Sequence, residues 1–175
     1  ALMGAIAGRT WARDAHYESF MARLRAMSAA TDLMFGKETR AIAVSELVDH
    51  VLAPFQDETC KIRIEGSPVP VPNKAISGLA MALHELATNA VKHGALSVPA
   101  GGIDVSWQST ADGTLELHWK EHGGPPVAKP EHVGFGTQLL RRGALPPPHR
   151  VELCYLACGL EAYIHVAGDD LSPNQ

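Results

Sequence analysis

Hydrophobic and polar positions follow two different periods along the chain, and the change between them predicts a change of architecture. Near the N-terminus, apolar residues recur at steps of three and four, which is a heptad seam on a helix. The seam consists of Tyr17, Phe20, Leu24, Met27, Thr31 and Met34. With the helix-like residues 2–12, it predicts a helical hairpin over residues 1–36. This hairpin either dimerises into a four-helix bundle or lies on the globular core as an ordinary helical pair.

The pattern of apolar and polar residues changes after a polar break near residue 36. The new pattern predicts one domain over residues 43–168. Ser45 is a favourable N-cap for a helix that Pro54 ends. Residues 60–65 then alternate between apolar and polar side chains in the manner of a strand. Four further segments alternate in the same way and are also predicted as strands. They are residues 103–108, 115–120, 151–156 and 160–166.

The longest helical pattern of this domain runs from Asn73 to about His93, between the first predicted strand and the other four. Asn73 is predicted as its N-cap and Gly94 as its left-handed C-cap. At 100° per residue, the apolar side chains of the helix fall on one side. They are Ile76, Leu79, Leu83, Leu86, Ala87 and Ala90. The order of elements predicts an α+β fold, a two-layer sandwich of helices on a sheet, with residues 169–175 as a C-terminal tail.

Composition and charge narrow the function classes. Fifteen basic and 19 acidic side chains give a net charge of −4, and no basic run exceeds two residues, so no nucleic-acid surface is expected. Three cysteines are too few for a disulfide framework and indicate a reduced, cytoplasmic protein. The longest apolar stretch, residues 75–83, is shorter than the roughly 20 residues of a membrane span. Ala1 lies inside a helical pattern, so we expect further chain upstream.

The polar side of the long helix carries residue types that suit a metal-bound phosphate ligand. Glu85, Asn89 and Lys92 recur at steps of about one turn, together with Thr88. A carboxylate, an amide and an ammonium at this spacing can reach a water, a divalent metal and a phosphate. Mg²⁺ takes few protein ligands and keeps most of its waters. A polar helix face is also commonly just solvated, so this pattern alone leaves both interpretations open.

Two glycine-containing segments downstream bear on the same chemistry. Residues 119–126, Trp-Lys-Glu-His-Gly-Gly-Pro-Pro, place Glu121 at the end of a strand, where its carboxylate can accept from an exocyclic amine such as that of adenine. Gly123 lets a ligand approach the backbone closely. Residues 134–137, Gly-Phe-Gly-Thr, precede a predicted short helix whose free N–H groups and dipole suit an anion. Each segment by itself is common in ordinary turns and loops.

Taken together and in order, these segments resemble the HWE group of bacterial sensor histidine kinases, whose ATP-binding domain has the GHKL (Bergerat) fold. Residues 83–97, Leu-His-Glu-Leu-Ala-Thr-Asn-Ala-Val-Lys-His-Gly-Ala-Leu-Ser, look like its N-box. The residues that give the group its name match His84, Trp119 and Glu121. Residues 134–140 stand where its last glycine box belongs, and the heptad seam looks like the second helix of its dimerisation and phosphotransfer hairpin.

The resemblance implies a kinase that uses ATP and Mg²⁺, and it assigns roles on the long helix. Asn89 is implied to hold Mg²⁺. Glu85 is implied to polarise the attacking imidazole or to organise metal-bound water. Lys92 and His93 are implied to contact phosphate. Phosphoryl transfer requires mainly positioning and charge stabilisation from the protein, and this set of residues supplies both.

The resemblance also assigns the base and the triphosphate to residues elsewhere in the chain. Glu121 is implied to read the adenine amine, with room provided by Gly123. His84 is placed among the nucleotide-binding residues. Trp119 either packs under the adenine site or fills the core. The triphosphate is implied to be held at a helix start by Gly134, Gly136 and Thr137.

The chain departs from the family pattern at two places. His93 stands where the family usually has Tyr, which keeps an aromatic hydrogen-bonding ring. The phosphoacceptor histidine belongs in a stretch resembling His-Arg-x-Lys-Asn, which is expected upstream of Ala1. The resemblance further implies a response regulator as partner, a sensor domain in the full-length protein, and homodimerisation through the hairpin as one oligomeric state.

Two other functions are compatible with parts of the pattern. One is a degenerate phosphotransferase, or a docking module for response regulators, that does not use ATP. Such a relative is expected to have lost the residues equivalent to Glu85 and Asn89, and both are present. The other is a stand-alone ATPase or serine kinase of the same superfamily, against which the heptad hairpin argues. Titration with nucleotide distinguishes these functions from a histidine kinase.

Overall fold

The structure of the protein is a computed structural model that describes residues 41–56, 61–127, 138, 140, 144–145 and 147–168. Outside the described residues lie the predicted hairpin over residues 1–36, the tail over residues 169–175, and Gly134, Gly136 and Thr137. The predictions made for them stay predictions. The main elements of the described part are α1 (Val44–Leu52), β1 (Lys61–Gly66), α2 (Ile76–His93), β2 (Gly102–Ser109), β3 (Leu115–His122), β4 (Arg150–Leu156) and β5 (Gly159–Val166).

The five described strands form one mixed sheet in the order β1-β2-β3-β5-β4. Strands β1 and β2 pair in parallel, whereas all other neighbouring strands pair antiparallel. A parallel pair needs a crossover connection, and α2 lies in that connection. Buried side chains of α1, α2 and the sheet form a single hydrophobic cluster. The predicted α+β fold, a two-layer sandwich of helices on a sheet, is confirmed.

Alternating burial along the strands explains why the sequence pattern located them. In β3, Leu115, Leu117, Trp119 and Glu121 are buried, and the residues between them are at least partly exposed. Successive side chains of a strand point to opposite faces, so one face meets the helices and the other meets solvent. All five predicted strands are confirmed, with ends that lie within two residues of the predicted ends.

The amphipathic pattern of α2 is confirmed in the same way. All six side chains predicted on its apolar side are 0% exposed. Burying a large aliphatic side chain contributes about 1.5–3 kcal/mol relative to leaving it exposed. The apolar side therefore anchors α2 to the sheet and leaves its other side chains to define the site described below.

The predicted N-caps are wrong, and the predicted C-cap is right in position but wrong in conformation. Helix α1 begins at Val44, one residue before Ser45, and no side chain caps it. The Val44 N–H donates instead to Val69 O at 2.9 Å, so backbone pairing with a distant segment satisfies a donor that a cap would have satisfied. The long helix follows a 3-10 turn over Asn73–Ala75; the N-cap of the turn is Pro72, that of the long helix is Ala75, and neither makes a side-chain capping bond. Gly94 ends α2 as predicted, but with φ −109° and ψ −150° it is extended and not left-handed.

The outer face of the sheet is mainly polar. Arg63 and Asp104 form an ion pair across β1 and β2 at 3.8 Å, and Lys120 and Glu161 form another across β3 and β5 at 3.8 Å. Partly exposed pairs of this kind contribute about 0–1 kcal/mol each. Within the described ranges, no helix is both long enough and apolar enough to cross a membrane.

Candidate functional site

The candidate site begins on the C-terminal half of α2, where the exposure of four polar side chains increases towards the end of the helix. Glu85 is 3% exposed, Asn89 is half-buried, and Lys92 and His93 are exposed. A fully solvated polar face, the alternative interpretation, is therefore wrong for Glu85. Carboxylates are rarely buried unless they are paired, hydrogen-bonded or coordinate metals, so the burial of Glu85 marks this face as more than a solvated surface.

The donor chemistry of this face suits a hard divalent cation. Asn89 lies one helical turn after Glu85, so an amide oxygen and a carboxylate are neighbours on the helix surface. Oxygen ligands of this kind are the ones that Mg²⁺ prefers, and Mg²⁺ completes its octahedron with water and phosphate oxygens. In the described part of the chain, no three His, Cys, Asp or Glu side chains are grouped so as to hold a metal. A site that relies on Asn89, water and nucleotide is compatible with that finding.

His84 lies on a different side of α2 from Asn89 and contacts the segment that follows α1. Its ring meets the ring of Phe55 edge to face, with centroids 5.6 Å apart and an interplanar angle of 70°. Edge-to-face pairs of this geometry contribute about 0.5–1.5 kcal/mol beyond the area they bury. The structure thus gives His84 a packing partner, and direct contact of His84 with a nucleotide stays a prediction.

The second part of the site is a buried carboxylate at the end of β3. Glu121 is 2% exposed, and its two oxygens accept from different donors. Oε2 accepts from the Ala95 N–H at 2.8 Å, and Oε1 accepts from the indole N–H of Trp119 at 3.3 Å. Ala95 follows α2 by two residues, so the first of these bonds joins the end of the helix to the end of the strand. Glu121 is thereby fixed against the turn that follows Lys92 and His93 in the sequence.

Trp119 fills the core, which was one of its two predicted roles. Its side chain is 0% exposed and lies on the inner face of β3, two residues before Glu121. A buried indole N–H usually finds an acceptor, and here that acceptor is the Glu121 carboxylate. The ring is therefore both a core residue and a support for the carboxylate.

Three glycines allow the turn after α2 to lie against Glu121. A Cβ on Gly94 would stand 2.1 Å from Glu121 Oε2, and a Cβ on Gly101 would stand 1.7 Å from Ala95 O. A Cβ on Gly124 would stand 2.6 Å from the Ala95 Cα. The reason for glycine at position 94 is therefore this close approach, and not the left-handed cap that the sequence predicted.

Gly123 adopts a conformation that other residues avoid. Its φ is +66°, and a Cβ there would stand 2.5 Å from Ala100 O. The missing side chain thus makes room for a neighbouring backbone segment. Room for a ligand at the same position stays a prediction.

Sequence reasoning missed the two residues that hold the site together from the helix side, Gly94 and Ala95. Ala95 contributes only its backbone N–H, which no side-chain pattern reports. The one indication in the sequence was that both residues lie in the segment 83–97, which looks like the N-box. Their partner Glu121 stands 26 residues from Ala95, so the contact depends on the tertiary fold.

The environment of Glu121 changes its acidity. Burial raises the pKa of the Glu121 carboxyl above its ordinary value of 4.5, and the hydrogen bonds from Ala95 and Trp119 partly offset that rise. A carboxyl whose pKa is raised on folding binds its proton more tightly in the folded state. Its contribution to the free energy of unfolding is therefore greatest below the ordinary pKa and declines as the pH rises through the raised pKa.

Glu121→Gln is expected to remove this contribution. In the variant, the free energy of unfolding should not show the decline with rising pH that Glu121 causes in the wild type. The other carboxyls should titrate as in the wild type. At neutral pH it should be less stable by about 1–3 kcal/mol, because one amide oxygen cannot serve both donors on opposite sides. Urea unfolding at a series of pH values from about 4 upward measures both effects. An unchanged difference between variant and wild type at every pH would contradict the assignment.

Comparison with known proteins agrees with the sequence resemblance. Residues 1–68 match the family model described as HWE histidine kinase. Blue-light-activated histidine kinase 1 of Erythrobacter litoralis is 34% identical over 174 residues, covering 94% of this chain and 48% of that protein. The blue-light-activated histidine kinase of Brucella anthropi is 37% identical over 127 residues, covering 70% of this chain and 26% of that protein. The chain thus spans about half or less of the length of these relatives.

Solved structures resemble the fold. The histidine kinase domain of an Erythrobacter litoralis blue-light activated histidine kinase superposes with a TM-score of 0.71 at 14% identity, covering 95% of this chain and 81% of that one. The mycobacterial sensor histidine kinase MprB superposes with a TM-score of 0.58 at 18% identity, covering 74% of this chain and 98% of that one. At these identities the likeness concerns the fold.

Proposed function

We propose that this chain, which belongs to the HWE histidine kinase family, binds Mg-ATP between the C-terminal half of α2 and the end of β3. The observation that carries the proposal is the hydrogen bond from the Ala95 N–H to Glu121. It joins the helix that bears Glu85 and Asn89 to the strand that bears a buried acid. The bond supports the proposal because it links the helix proposed to hold metal and phosphate to the carboxylate proposed to read the base.

On the metal side, each residue has a role that its chemistry suits. The Asn89 side-chain oxygen coordinates Mg²⁺, which when bound neutralises charge on the phosphate oxygens. Glu85 polarises the attacking imidazole by accepting its ring N–H. The exposed Lys92 and His93 donate to phosphate oxygens, where a cation or an N–H donor is most useful.

On the base side, Glu121 accepts from the exocyclic amine of adenine. Its oxygens have about four acceptor positions in all, and donors from the described part of the chain occupy two of them. Gly123 leaves room beside the base. The triphosphate is held by residues of the last glycine box, which are Gly134, Gly136 and Thr137.

The whole protein passes the γ-phosphoryl group to a histidine and then to a response regulator. We place the acceptor histidine upstream of Ala1, because no histidine of this chain stands in the expected motif. A sensor domain upstream and homodimerisation through the hairpin complete the proposal, with the kinase part in the cytoplasm. A docking module that does not use ATP is the alternative, and the presence of both Glu85 and Asn89 favours the kinase.

Asn89→Ala is expected to weaken Mg-ATP binding by about 100-fold, because it removes a metal ligand and leaves the triphosphate charge less well compensated. Calorimetric titration of the chain with ATP in the presence of Mg²⁺ measures the affinity. Ser77→Ala serves as control, since Ser77 is a half-buried polar residue of the same helix, about 18 Å along the axis from Asn89. If the wild type binds no nucleotide, the kinase proposal is contradicted and the docking module is favoured.

A further inference from the structure

Among the described residues, two donors hold the Glu121 carboxylate, and they hold different oxygens. The backbone N–H of Ala95 occupies Oε2 at 2.8 Å, and the indole N–H of Trp119 occupies Oε1 at 3.3 Å. The torsion about the last bond of a glutamate side chain is soft, so one donor alone would leave the carboxylate plane free to turn. Two donors on two oxygens fix both its position and its plane.

We propose that Trp119 is a positioning residue that, together with the Ala95 N–H, keeps Glu121 an oriented, acceptor-only group, so that the site selects a purine with an amine at position 6 over one with a carbonyl there. The inference rests on the proposed function, because it takes the base to lie against Glu121. Trp119 does not touch the nucleotide in this proposal. Its effect on base selection passes entirely through the carboxylate.

The physical reason is the complementarity of donors and acceptors. An ionised carboxylate only accepts hydrogen bonds, whereas a protonated one can donate to a carbonyl oxygen. Burial raises the pKa of the Glu121 carboxyl, and the Ala95 and Trp119 N–H groups limit that rise because they donate to the ionised form. An ionised carboxylate meets an amine favourably and a carbonyl oxygen unfavourably. A site built to accept from an N–H rejects an analogue that lacks it.

The burial of Glu121 makes this orientation important. At 2% exposure, very little of the residue is accessible to a ligand. A carboxylate that turned by even a small angle would present a different edge. The indole N–H therefore controls which acceptor position faces the ligand, in addition to controlling the ionisation of the group.

The chain contains a matched control for the loss of this N–H. Trp107 is also buried, at 6% exposure, on the inner face of the neighbouring strand β2. Its indole N–H donates to Ser67 O at 2.8 Å, away from Glu121. Trp119→Phe and Trp107→Phe thus remove the same ring nitrogen and one hydrogen bond each, but only the first change touches the Glu121 carboxylate.

The experiment compares the affinities of ATP and inosine triphosphate (ITP), each with Mg²⁺, for the whole chain and for both variants. We expect Trp119→Phe to reduce the preference for ATP over ITP by about tenfold and Trp107→Phe to leave it unchanged. Thermal unfolding of all three proteins checks that the two variants lose comparable stability. A purely structural role of Trp119 would weaken both nucleotides equally and leave the preference where it was.

The outcomes separate this inference from the proposed function. Wild type that binds neither nucleotide overturns both. Wild type that prefers ATP, with the same preference in Trp119→Phe, overturns only the role of Trp119. Should Trp119→Phe not fold, the wild-type chain answers the same question by NMR. The Trp119 indole N–H resonance is expected to titrate with Glu121 and to move on ATP binding while that of Trp107 stays, and an unmoved Trp119 resonance overturns the inference.

Discussion

Replacing Gly94 by alanine is expected to lower the free energy of unfolding by about 4 kcal/mol and the melting temperature by roughly 10 °C. The added methyl group would stand 2.1 Å from Glu121 Oε2 and 2.9 Å from the Ala90 Cα. One of these neighbours belongs to the backbone of α2, which cannot yield cheaply. The carboxylate must therefore move, and the bond from the Ala95 N–H to it is lost inside the protein.

Gly113→Ala separates steric crowding from backbone conformation. Gly113 has a φ of +82°, and no atom of the described residues lies within 4 Å of its missing Cβ, so the cost there is conformational and about 1 kcal/mol. Thermal and urea unfolding of both variants measure the difference. Combining Gly94→Ala with Glu121→Asp, which shortens the crowded side chain, should cost less than the sum of the two single changes. A loss in Gly94→Ala no larger than in Gly113→Ala would contradict the close-approach explanation.

Glu85→Gln is expected to slow autophosphorylation of the full-length protein by about 100-fold or more while leaving Mg-ATP affinity nearly unchanged. Glutamine has almost the same shape, so it can occupy the buried position of Glu85. It lacks the charge that we propose polarises the attacking imidazole, an interaction that matters only as the new bond forms. Transfer of label from radiolabelled ATP measures the rate, and nucleotide titration measures the affinity.

Glu152→Gln is the matched control for this change. Glu152 lies on the outer face of β4, is well exposed, and pairs with Arg150 at 3.3 Å, so losing its charge should change neither rate nor affinity. The 175-residue chain alone should acquire no label, since its acceptor is proposed upstream of Ala1. Label on this chain would place the acceptor within it. An undiminished rate in Glu85→Gln would remove Glu85 from the reaction.

Local patterns predicted the helices and strands well but the helix caps poorly. The strands and the apolar side of α2 followed from periods of two and 3.6, which arise from backbone geometry and hold wherever one face is buried. The caps did not follow from residue type. Val44 takes its backbone partner from Val69, a residue distant in sequence, and Gly94 is required by its distance to Glu121. Capping preferences describe isolated helix ends, and tertiary contacts override them.

The candidate site shows the same division. Residue chemistry and spacing were enough to select Glu85, Asn89 and Glu121 as candidate site residues and to connect them with a family. These properties can be read from the sequence of one helix and one strand. Burial of Glu85 and the two donors on Glu121 could not be predicted in this way. They depend on which surfaces meet when α2 packs on the sheet.

The amino-acid sequence by itself determined the two-layer architecture and the family and supplied the set of candidate site residues, since each depends on residue types at short, regular spacings. Tertiary structure alone decided that Glu121 is held through the Ala95 N–H and the Trp119 indole, and that Gly94 must lack a side chain. The physical reason is range. Periodicity and propensity act over a few residues, whereas the bond between Ala95 and Glu121 spans 26 residues of sequence and forms only when the helix end and the strand end are brought together.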